Sequence, residues 1–176
     1  MSIPLFIAGG SSERAAVAEM MRASEALGYR ITCDWPTMMG TQPTEMPPSM
    51  VCDTCDQLET GIIDAYVVWF MLPATKSEGA HYELGYVRGI LRSLPNACKM
   101  VILSGDIAAL GRVYPTLAAA QGLYVPTHAE VLPLLASLRD QVGLAHARYL
   151  LGLLHRGSVD ATADASNNEE VTSHEP

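Results

Sequence analysis

The feature that most constrains this chain is a change of rhythm that repeats along it. Short continuous apolar runs, the mark of strands covered on both faces, alternate with stretches whose apolar residues recur every three or four positions, the mark of helices packed on one side. Ile3 to Ala8 is the first run; it ends in Gly9-Gly10-Ser11-Ser12, and the next segment puts Ala16, Met20, Ala23 and Leu27 on one helical stripe. A second strand is expected over 29–35, closing on Trp35. PTMMGTQPTEMPPSM (36–50) follows, with four prolines and no period, and reads as a long loop of the kind that often forms a lid. A short helix is expected over 51–60, and IIDAYVVWFML (62–72) then reads as one continuous strand in the middle of the sheet.

Pro73 breaks that run, and a helix is expected over 79–93, where Ala80, Leu84, Val87, Leu91 and Leu94 recur at spacings of four and three. KMVILSG (99–105) supplies a fourth strand and 122–125 a weaker fifth. A helix opened by Thr127 comes next, and a further apolar helix is expected over 143–155. Parallel strands need crossovers of a dozen or more residues, usually helical, so this order argues for a parallel sheet with helices on both faces. The chain of 176 residues suits one such domain. The expected organisation is a globular body over 1–140, a C-terminal helix within 141–156 that could form a dimer contact, and a disordered acidic tail over 157–176.

Composition narrows the partners. Nineteen acidic residues against eleven Lys and Arg leave a net charge of -8, which disfavours attachment to nucleic acid or to an anionic membrane. The N-terminus starts on a strand-like run with no basic lead or small-residue cleavage site, and no apolar run is long enough to span a bilayer, so a cytoplasmic location is expected. Cys33, Cys52, Cys55 and Cys98 are then reduced thiols, and only Cys52 and Cys55 are closely spaced. That CxxC could bind zinc or do redox work, but a metal site needs a second pair, so four ordinary thiols is the plainer reading.

In an open parallel sheet, ligands bind beyond the carboxyl ends of the strands, where strand order reverses. Glu83, in SEGAHYELGYVRG (77–89), follows the third of those ends and lies four and seven residues before Val87 and Ile90, on the flank of the buried stripe. An acid held between a helix dipole and burial can act as nucleophile or general base; it can also be an ordinary acid near the N-terminal end of a helix. Asp56 precedes the central strand by two turns of expected helix. Gly9, Gly10, Ser11 and Ser12 could present backbone N–H groups and hydroxyls to a phosphate, or merely cap a helix. Trp35 could stack a nucleobase or fill the core.

PLFIAGGSSER, TCDWP, DQLETGIIDAYVVWFMLP and EGAHYELGYVRG together resemble the nucleoside 2-deoxyribosyltransferase family, which includes the 2'-deoxynucleoside 5'-monophosphate N-hydrolases. The likeness spans about 4–139, and its most specific part is the ELGY segment combined with Asp56, eight residues before an Asp64 taken to begin strand three. The resemblance implies a flavodoxin/Rossmann-like, doubly wound, five-stranded sheet in a homodimer that needs no metal or organic cofactor. It implies that Glu83 attacks the anomeric carbon and forms a glycosyl-enzyme ester, with Asp56 handling a proton or the sugar. It also implies that Ser77 and Gly79 lie near the sugar or phosphate, and that Thr116, within GRVYPT, reaches a neighbouring subunit's site.

Two departures bear on substrate. Phe6 stands where the hydrolases have a strand-one tyrosine, and the loop carrying Lys76 and Glu78 looks longer. The substrate expected is a small nucleoside or nucleotide. The alternatives are a nucleotide-binding or sensing module that has lost turnover, for which Phe6 is the best hint, and an interaction protein using its last helix and tail.

Overall fold

The computed structural model describes residues 2–39, 47–74, 77–93, 99–106 and 122–147. Five strands, β1 (Ile3–Ala8), β2 (Tyr29–Ile31), β3 (Val67–Met71), β4 (Met100–Ser104) and β5 (Leu123–Val125), form one sheet in the order β2-β1-β3-β4-β5, every pair parallel. This is a single-domain α/β fold of the flavodoxin-like kind. The helices are α1 (Arg14–Ala26), α2 (Trp35–Met38), α3 (Pro48–Asp64), α4 (Glu78–Ser93) and α5 (131–147). β3 occupies the middle and is buried along its whole length, as is its neighbour β1, whereas the edge strands are three residues each and β5 is largely exposed. Short edges leave little backbone for another chain to pair with. No helix among the described residues is long and apolar enough to cross a membrane.

The structure redraws four of the expected elements. Strand two ends at Ile31, not at Trp35. Beyond it Asp34 accepts a hydrogen bond from the Thr37 N–H at 3.4 Å, and Pro36 holds the first turn of α2, so Trp35 opens a helix. The run 62–72 divides: Ile62, Ile63 and Asp64 finish α3, and the strand begins at Val67. Ile62 is fully buried while Ile63 is 55% exposed, an alternation that one side of a helix explains; an unbroken apolar run cannot distinguish the two. Asp64 therefore closes α3 and does not begin strand three. The inner face of α1 is Val17, Met21 and Ser24, one position beyond the expected stripe, and Ala16 is exposed. Finally, α5 runs without a break through 140 and 141, and its Val142 is part of the core. The extension of that helix to 155, the tail, and residues 40–46 of the expected lid lie outside the described residues.

Lys99 ties this geometry together just before β4. Its ammonium donates to the carbonyls of Ile62, Ile63 and Ala65 at 2.9, 2.7 and 2.5 Å, capping α3 where four carbonyls would otherwise lack partners. Partial burial lowers the Lys99 pKa, and the Asp64 charge opposes that shift. Hydrogen bonds involving a charged group contribute a net of about 1.5–3 kcal/mol each, and burying the ammonium offsets part of that. Lys99→Met should therefore lower stability by about 1–3 kcal/mol, seen in urea unfolding as an earlier midpoint with an unchanged slope.

Candidate functional site

The strand order reverses between β1 and β3: β2 lies to one side of that pair, β4 and β5 to the other. A crevice opens there at the carboxyl ends. Gly9 follows β1 closely enough to α1 that a Cβ would stand 2.6 Å from the Val17 side chain, and one on Gly10 would stand 2.9 Å from Pro73. Glu13, ending the 3-10 turn Ser11–Glu13, accepts the Ala74 N–H at 2.8 Å and so clasps the β1 turn to the loop after β3.

Beside this clasp is a cavity of about 520 Å³. Gly9, Ser11 and Ser12 line it from the β1 turn, Trp35 and Met39 from α2 and its end, and Val51, Thr54, Cys55 and Leu58 from α3. Ser77, Glu78, Gly79 and Glu83 close it from α4 and the residue before it. Trp35 is 3% exposed and its Nε1 donates to the Ile7 carbonyl at 2.8 Å, so the indole is anchored in the core and is also a wall of the cavity. Ser77 Oγ accepts the Ala80 N–H at 3.3 Å and caps α4. A Cβ on Gly79 would meet nothing within 4 Å, so the backbone there is open to the cavity.

Glu83 is the chemical centre of the hollow. It is 6% exposed, and its Oε2 is buried with no hydrogen-bond partner among the described residues. Burial alone pushes its carboxyl up to about 8. Cys55, on the same cavity, has its thiol raised by burial first, with further contributions from Cys52, Glu59, Asp56 and Glu83. No group of three or more metal-ligating side chains occurs among the described residues.

Ten of the eleven residues expected at the site are described: Glu83, Gly9, Ser11, Ser12, Trp35, Ser77 and Gly79 line one cavity, while Asp56, Phe6 and Gly10 do not. Asp56 is exposed on the far side of α3 and lines a separate depression with Thr32, Asp34 and Thr60. The reason is helical phase: Thr54, Cys55 and Leu58 take the inner face of α3, which turns Asp56 away. Phe6 does not line the cavity either; it is fully buried, with its ring against Gly61. Gly10 is buried behind the lining, against Pro73. Thr116 and Lys76 lie outside the described residues.

The sequence reading missed the α3 wall, although Val51, Thr54, Cys55 and Leu58 recur at helical spacing and could have been found by it. It also missed a buried polar chain at the end of β4, where Trp69 Nε1 donates to Ser104 Oγ at 2.7 Å and that oxygen lies 2.7 Å from His128 Nδ1. Burial lowers the His128 pKa against the pull of Glu13. Comparison of the sequence with protein-family models and with curated proteins found no match to either.

The Glu83 carboxyl links stability to pH. In the unfolded chain it ionises near 4.5, and in the folded chain near 8. Below the lower value both states hold the proton, while between the two only the folded state does, so this group's contribution to stability is lost as pH rises towards 8. Glu83→Gln removes the ionisation. It should be close to neutral for stability at pH 4 and stabilising by on the order of 3 kcal/mol at pH 8, measured by urea unfolding at both values.

Proposed function

We propose that this cavity holds a (deoxy)nucleoside or its 5'-monophosphate and that the protein cleaves or exchanges the N-glycosidic bond, with Glu83 as nucleophile. The observation that carries the reading is the Glu83 carboxyl, enclosed and with an oxygen free, inside a hollow at the switch point of the sheet. A water-poor carboxylate is suited to stabilising the oxocarbenium-like charge of glycosidic cleavage, because the interaction is stronger there than in solution. The indole of Trp35, with Met39, Val51 and Leu58, offers a mostly apolar wall for a flat base. Ser11, Ser12 and Ser77 offer hydroxyls, and Gly79 a bare backbone, for the sugar or a phosphate.

In this reading Glu83 ionises, its oxygen bonds to the anomeric carbon, and the base departs with the electrons of the broken C–N bond. Water or a second base then takes the sugar from the ester. The likeness of 77–89 to the deoxyribosyltransferase family supports this assignment, and a homodimer is part of the same proposal.

The test is incubation with the four common 2'-deoxynucleosides and their 5'-monophosphates, with and without an acceptor base, following free base by chromatography. The expected result is base release or exchange that Glu83→Gln lowers by on the order of 10⁴-fold. Because the nucleophile must be ionised, kcat/KM should rise with pH through a midpoint of about 8. Nucleotide binding without any base release would point instead to a sensing module.

A further inference from the structure

We propose that Glu78 is the second reacting carboxylate of this cavity, the group that takes the proton from the water that resolves the glycosyl ester on Glu83. The inference rests on the glycosidic reading above and names a part that reading lacks. In the second half of the reaction a water oxygen bonds to the anomeric carbon. The ester C–O bond breaks, its electron pair returns to Glu83, and the water must give up a proton. Some side chain facing the sugar has to accept it.

Glu78 and Glu83 are the two carboxylates that line the cavity among the described residues, whereas Asp56 faces a different depression. The two acids are five residues apart on α4, which puts their α-carbons about 8–9 Å apart and their side chains on different sides of the helix axis. Both nonetheless line the one hollow, Glu78 from the first turn of α4 and Glu83 from the second. Their environments also differ in the sense the chemistry needs. Glu83 is 6% exposed and reaches the interior, while Glu78 is exposed to solvent. Ser77 caps the helix through the Ala80 N–H and so holds the turn that carries Glu78. Cys55 is the other lining side chain with an acidic proton, but burial raises its thiol and makes the thiolate scarce.

The experiment compares wild type with Glu78→Gln, Glu83→Gln and Asp56→Asn on whichever of the eight nucleosides and monophosphates wild type cleaves fastest. Glu78→Gln changes an exposed side chain and leaves the core untouched. It should release a burst of about one equivalent of base per site, then turn over roughly 10²-fold or more below wild type. The ester on Glu83 should accumulate in intact-protein mass spectra. Azide, an anion that attacks without losing a proton, should restore turnover and yield the glycosyl azide. Wild-type turnover by Glu78→Gln, loss of the burst itself, or the burst and azide rescue appearing in Asp56→Asn instead would overturn the assignment. Failure of the underlying reading looks different: no base release by wild type, or base release undiminished in Glu83→Gln, would remove both.

Discussion

A carboxyl group removed from water and given no partner is costly to hold in its charged form, and the rest of this structure can be understood through how Glu83 is kept there. Its neighbours along α4, Ala80, Leu84 and Val87, are buried against the sheet, and that packing carries Glu83 inward with them. With no hydrogen-bond partner for its Oε2 among the described residues, the group relaxes by keeping its proton. The resulting loss of stability at higher pH is tolerable because the central strands β1 and β3 bury continuous apolar runs. Glu83 is thus a local sacrifice of stability in a fold that is otherwise internally consistent.

The walls around that carboxyl are held by interactions made elsewhere. Trp35 presents a face to the hollow because its N–H is tied to the Ile7 carbonyl of β1. The β1 turn stays against the loop after β3 because Glu13 reaches across to the Ala74 N–H and because Gly9 and Gly10 lack side chains that would force the elements apart. α3 forms a third side, its C-terminus capped by Lys99 from the approach to β4. Each of these contacts limits the freedom of the groups that line the cavity, so its shape is fixed by the fold.

How far the sequence could be read varies with the kind of signal. The strand-helix rhythm revealed five parallel strands and the central place of β3, since apolar runs flanked by glycine and proline have few other uses. The same rhythm misplaced the start of β3, because Ile62 and Ile63 at the end of α3 look like strand residues until their unequal burial is known. The placement of Glu83 inside the site was legible from its offset to Val87 and Ile90. The assignment of Asp56 to the same site was not: adjacent residues on a helix point about 100° apart, and nothing in the spacing said that Cys55 and not Asp56 would face inward.

By itself, then, the sequence determined the fold class, the strand ends that border the crevice and the helix that carries Glu83, because these follow from local periodicity and from glycine and proline at turns. Only the tertiary structure decided which side chains share the hollow. It brought the β1 turn, Trp35 and the inner face of α3 around Glu83, turned Asp56 and Phe6 away, and left Glu83 Oε2 buried without a hydrogen-bond partner among the described residues. Those outcomes depend on helix phase and on how elements distant in the chain pack, and no stretch of sequence contains that information locally.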